Sequence, residues 1–176
     1  MATPTNLPAT FTTGQVLTAT NVNDLRGAFR ILQVKTTSDV TTRTTSSDYP
    51  QLSTFNVSIT PQSTSSLILI SATLSCFIDS TGGNTNRIAV YGLSYGAGST
   101  TPIYSTRWSA ILGVGADMFT STAMEFIHSP ATTSACVYNV LFGRYNATYN
   151  NGVGINGNAT PIANGRSTIT AMEISA

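Results

Sequence analysis

Charge is what this 176-residue chain has least of: Asp, Glu, Lys and Arg together make 9% of it, against about 25% in ordinary soluble domains. The lone Lys35 and seven Arg are scattered, and the net charge is +1. Binding to a phosphate backbone needs clustered cations, so nucleic acid is not an expected partner. Histidine is nearly absent. His128 stands alone before Ser129-Pro130, with no Gly-x-Ser-x-Gly elbow and no acidic partner at a telling spacing, which leaves nothing for a Ser/His/Asp hydrolase. One His and two isolated cysteines, Cys76 and Cys136, do not make a metal site, and no metal or other cofactor is expected. Both cysteines sit inside apolar strand patterns and read as buried free thiols. Glu125 and Asp117 share one strand region, but any two of the seven acids would serve as well for a glycosidase pair. Gly96-Ala-Gly98 and Gly113-Val-Gly115 lack the third glycine and the following helix of a phosphate cradle. No apolar run approaches the ~20 residues that span a bilayer, so membrane insertion is not expected, and the N-terminus has no leader-like basic and apolar regions. The chain therefore reads as a non-enzyme.

Ser, Thr, Asn and Gly fill the place of charge, and the hydrophobic fraction is 41%. A surface of uncharged polar groups suits lasting contact with other subunits. The strongest single pattern is Ser66 to Asp79. Ile68, Ile70, Ala72, Leu74, Cys76 and Ile78 fall on one side at period two, and Ser71, Thr73 and Ser75 fall on the other, as in a half-buried strand. The rest of the chain is expected to pack around it.

Residues 1–30 differ from the remainder of the chain. Met1 to Thr13 holds Pro4 and Pro8 and no periodic apolar face, and reads as an extended arm. From Thr20, a good N-cap, Val22, Leu25 and Phe29 share one face at spacings of three and four, which predicts a helix of about two turns. A helix so short is stable only when its apolar stripe packs on something, its own domain or a partner. From Ile31 the period becomes that of strands: Ile31 to Lys35; a polar strand or loop from Asp39 to Ser47; Phe55, Val57 and Ile59; the long strand; Arg87 to Tyr95; Pro102 to Ser109; Asp117 to His128; Ala135 to Tyr145, apolar on both faces; Val153 to Ile155 within an Asn- and Gly-rich loop; and Arg166 to Ile174. Pro61 to Ser66 is expected to turn the strand ending at Ile59 into the long strand as an antiparallel hairpin. Gly, Pro, Asn and Ser turns separate these segments. The expectation is an all-β fold, an antiparallel jelly-roll-like sandwich over 31–176, preceded by the arm and one short helix. Strand counting alone leaves an immunoglobulin-like sandwich open. Tyr104, Trp108, Tyr145 and Tyr149 are candidates for a sugar-binding platform, with core or subunit contact as the plainer use of such rings.

Two segments carry a resemblance. Phe11-Thr-Thr-Gly-Gln-Val-Leu-Thr-Ala-Thr-Asn-Val-Asn23 resembles the short segment with which many structural proteins of tailed bacteriophages begin. Met124-Glu-Phe-Ile-His-Ser-Pro-Ala-Thr-Thr-Ser-Ala135, with Gly165-Arg-Ser-Thr-Ile-Thr-Ala-Met-Glu-Ile174, resembles a C-terminal β domain found in phages of cyanobacteria and marine bacteria. The resemblance implies a homotrimeric virion protein on the exterior of the particle, assembled in the host cytoplasm. It transfers no catalytic residue. The chain departs from a typical tail fibre in lacking a shaft, and an arm plus a knob suits a capsid decoration (cement) protein bound to the major capsid protein. The alternative is a short tail fibre, spike or baseplate component, touching tail or baseplate proteins and a host surface glycan. Attachment to the particle then falls to the arm and helix, with Phe11, Val16, Leu17, Val22, Leu25 and Phe29 as the gripping side chains.

Overall fold

The structure, a computed structural model, describes residues 31–78, 86–111, 118–147, 152–157 and 165–175. The expected arm and helix lie outside the described residues. Within them the secondary structure is ten strands: β1 (Ile31–Asp39), β2 (Arg43–Thr45), β3 (Gln51–Ile59), β4 (Leu67–Ile78), β5 (Asn86–Tyr95), β6 (Pro102–Ile111), β7 (Met118–His128), β8 (Cys136–Arg144), β9 (Val153–Ile155) and β10 (Ser167–Ile174).

They form two antiparallel sheets. Sheet A runs β1-β10-β4-β9-β2, with β7 on the other edge of β4. The strands β10 and β9 share one edge of β4, at Leu67–Thr73 and Cys76–Ile78 respectively. Sheet B runs β3-β8-β5-β6. The two pack as a β-sandwich, and period-two alternation supplies the filling. Ile68, Ile70, Ala72, Leu74, Cys76 and Ile78 of β4 are all buried, together with Met124, Ile169 and Ala171 from their neighbours. Sheet B meets them with Phe55, Val57, Ile59, Tyr91, Leu93, Tyr138, Val140 and Phe142. Each large apolar side chain so buried contributes roughly 1.5–3 kcal/mol. Cys76 and Cys136 lie in this layer as free thiols, and burial pushes the Cys76 thiol up to about 12.

The expected hairpin between β3 and β4 does not form: β3 pairs with β8 in sheet B and β4 lies in sheet A. Two strands that each bury a single face can meet across a core as well as side by side, and alternation is the same in both cases. The connection at 60–66 therefore crosses between sheets. Its anchor is Glu173, a fully buried carboxylate on β10. Glu173 accepts hydrogen bonds from the Gln62 amide (2.6 Å), the Ser66 hydroxyl (2.7 Å) and Gln33 Nε2 (2.6 Å). A second polar joint sits where the chain leaves β9. Buried Asn156 adopts φ 56°, donates its amide to the Ser75 carbonyl (2.8 Å) and Nδ2 to the Thr41 carbonyl (3.2 Å), and accepts from the Ser167 hydroxyl (2.6 Å).

Burial alone would raise the pKa of Glu173. The hydrogen bonds from Ser66, Gln33, Gln62 and Ser63 outweigh it and hold the carboxyl below its ordinary 4.5. A folded-state value below the unfolded one stabilises the fold above the unfolded pKa, and the gain is lost as pH falls through the folded value. Glu173→Gln should cost about 1–3 kcal/mol at pH 7, because buried donors lose a charged acceptor. It should also flatten the fall in stability expected of the parent below pH 4.5. Urea unfolding of both proteins between pH 7 and pH 3 reads both effects; superimposable profiles contradict the assignment.

Candidate functional site

Three places in the described residues bring chemistry-bearing side chains together. The first is a groove on the outer face of sheet B. The turn at 47–50 lies down on β8 through the Tyr49 amide on the Arg144 carbonyl (2.9 Å), the Arg144 amide on the Ser47 carbonyl (3.2 Å) and an Arg144–Asp48 ion pair (2.6 Å). Gly143 makes this approach possible: a Cβ there would stand 2.7 Å from the backbone of Tyr49. Gly92 does the same for the ring. A Cβ on it would run into the Tyr49 hydroxyl and come within 2.6 Å of the Tyr104 carbonyl. Tyr49 thus folds over β5 and forms one wall of an open groove of about 390 Å³, with Val90, Ser105, Thr106, Arg107 and Tyr145 as the rest. The Arg107 guanidinium lies 5.1 Å from the centre of the Tyr145 ring, a cation–π contact. The two ion pairs among the described residues, Arg43–Asp39 and Arg144–Asp48, do not involve Arg107. Burial pushes the Tyr49 phenol up to about 12, and the nearby Ser105 hydroxyl tempers this without a hydrogen bond of proper geometry. Two phenol rings, one cation and two hydroxyls offer stacking and anion binding. They offer no nucleophile with a base beside it.

The second place is an aromatic cluster at one end of the sandwich. His128 Nδ1 lies 2.9 Å from the Tyr138 hydroxyl, its ring 4.5 Å from that of Tyr95, with Phe126 on another side. Burial lowers the pKa of His128, so the neutral ring is favoured. It bridges the two sheets as a packing element. Among the described residues no group of three or more His, Cys, Asp or Glu lies together to hold a metal, and no helix there is long and apolar enough to cross a membrane.

The third place is the outer face of sheet A. The register sets its side chains in rows. Ile31, Ile174 and Leu67 form one; Val34, Met172, Leu69 and Ile127 form the next. Ile31, Val34 and Ile127 are each half or more exposed, at 57%, 50% and 56%. Beyond them the face turns to hydroxyls, with Thr36 and Thr170 hydrogen-bonded at 3.0 Å and Ser71 reaching Glu125 at 3.4 Å.

The side chains expected from the sequence are dispersed. Tyr145 lines the groove, whereas Tyr104 lies between the sheets against Phe126, ring centres 6.2 Å apart. Trp108 belongs to β6, opposite Ala89. Tyr149 and the attachment residues Phe11, Val16, Leu17, Val22, Leu25 and Phe29 lie outside the described residues. Sequence reasoning missed Tyr49 and Arg107. The one local signal was Tyr49-Pro50 closing a polar run, which marks a turn but not the ring's destination. Neither a family model nor a curated protein matches the chain.

Since the Tyr49 hydroxyl is buried without a hydrogen bond of proper geometry, Tyr49→Phe should change stability by less than about 1 kcal/mol, because no well-made bond is lost. Gly92→Ala forces Tyr49 off the sheet and should cost about 1–3 kcal/mol through overpacking. Thermal unfolding of the two variants gives the comparison, and equal effects contradict the geometry.

Proposed function

We propose that this chain is a non-enzymatic structural protein of a bacteriophage virion, a homotrimeric capsid decoration protein bound to the particle exterior through residues 1–30. The observation that carries the reading is a surface almost without charge: hydroxyls of Thr36, Thr170 and Ser71 line the outer face of sheet A, in a chain with 9% charge. Uncharged surface of this kind suits lasting contact with other subunits. The resemblance of Phe11–Asn23 and of the Met124–Ala135 and Gly165–Ile174 segments to phage virion proteins supplies the particle. The strand order supports a jelly roll as the particular sandwich. Four positions, β1/β2, β10/β9, β4 and β7, face β3, β8, β5 and β6, and the chain changes sheets at each connection from β2 to β9 except β5–β6.

A second reading, a short tail appendage that binds a host glycan, is favoured by the groove of Tyr49, Arg107 and Tyr145. Rings that stack on a sugar face beside a guanidinium suit a carboxylated sugar.

Removal of residues 1–30 should leave a folded trimer that no longer co-sediments with particles lacking the protein; normal co-sedimentation contradicts attachment through this segment. On a glycan array, the decoration reading expects no saturable binding. Saturable binding to acidic glycans that Arg107→Ala lowers at least tenfold supports the appendage instead.

A further inference from the structure

The apolar rows of sheet A stop where the chain enters the sheet. Ile31 is the first residue of β1 and belongs to the first row. The chain therefore enters the sheet at the rim of the patch. The patch crosses four strands, or about 14 Å at 4.8 Å per spacing, and two rows along them, about 7 Å apart. Between side-chain centres that is about 100 Å², and even with the width of the side chains added it stays well short of the ~800 Å² per partner of a stable interface between two copies. It does match a helix of about two turns, about 11 Å long and 10 Å across. The sequence after Thr20 predicts such a helix, with Val22, Leu25 and Phe29 on one face. Charge agrees as well. Glu125 is the one charged residue in the row bordering the patch, and Arg26 borders the apolar face of the helix at helical spacing.

We propose that residues 20–29 seat Val22, Leu25 and Phe29 on the outer face of sheet A, over Val34, Met172, Leu69 and Ile127 of the same chain. A helix of two turns is unstable alone. Joined directly to β1, it meets its docking face at high effective concentration, so a small apolar area suffices to hold it. The docking divides the N-terminal segment in two. Residues 20–29 fix its direction of exit, and the part before them, with Phe11, Val16 and Leu17, is what reaches a neighbour. The inference touches the virion reading at one point: docked here, Val22, Leu25 and Phe29 do not grip the particle and attachment falls to the residues before them, while the disulfide test reads the docking alone.

Cysteine pairing in the full chain tests it. Leu25→Cys is combined in turn with Val34→Cys, Met172→Cys and Ile127→Cys, the buried thiols of Cys76 and Cys136 being left in place. Mild oxidation should close a disulfide within one chain, at monomer mass on a denaturing gel, in more than half the molecules for at least one pair. Disulfides between chains would show the patch covered by a second copy, and no disulfide in any pair would show it uncovered; either result overturns the proposal. Should the paired variants fold poorly, Leu25→Asp alone gives a second readout. It leaves the sandwich intact and should raise binding of an apolar dye several-fold, whereas unchanged dye binding contradicts docking.

Discussion

The inner row of β4 is the contact on which the other elements depend. Six side chains at alternate positions, Ile68 to Ile78, present one apolar strip that needs cover along its whole length. A single strand cannot bury that strip, and neither can a single sheet. Sheet A sets β10 and β9 end to end along one edge of β4 and β7 along the other, and sheet B closes over the strip. The connection between β3 and β4 crosses sheets because both strands have an inner face to bury. Buried polar groups are then satisfied one by one, Glu173 at the crossing of 60–66 and Asn156 where the chain leaves β9 within sheet A. The carboxylate of Glu173 is held by donors, not by a cation, which keeps even this buried charge within an almost charge-free design.

The same alternation decides the outside. Each strand of sheet A that sends an aliphatic residue inward sends its neighbours outward, and here those neighbours are aliphatic near Ile31 and hydroxylic further along. Sheet B differs, because the turn at 47–50 lies on it and Gly92 and Gly143 make room for Tyr49. One face is thus a surface of aliphatic and hydroxyl groups, and the other carries a groove with a cation. His128 packs with aromatic rings where the two sheets meet.

Strand existence was legible in the sequence wherever one face is buried. Residues 67–78, 86–95, 136–144 and 167–174 all announced themselves by period two or by continuous apolar runs. Pairing was not legible. Alternation tells which side of a strand is buried but not which strand lies beside it, and the hairpin expected from Pro61 to Ser66 was lost for that reason. The sugar-platform residues show a similar limit. Tyr104 and Tyr145 look alike in sequence, yet one sits between the sheets and the other lines an outer groove, because strand parity and a distant turn place them. Tyr49 and Arg107 were invisible because only the fold of 47–50 onto β8 brings them together. The rows on sheet A also needed register: Val34, Leu69, Ile127 and Met172 are far apart along the chain and become neighbours only through the pairing of β1, β10, β4 and β7.

An assembling, adhesive role requires that the chain not be solitary. Sedimentation equilibrium of the full-length protein at micromolar concentration is the most direct test. The account predicts a species of three chains, each of 18.5 kDa, that persists on dilution; a single chain of that mass across the concentration range would contradict it.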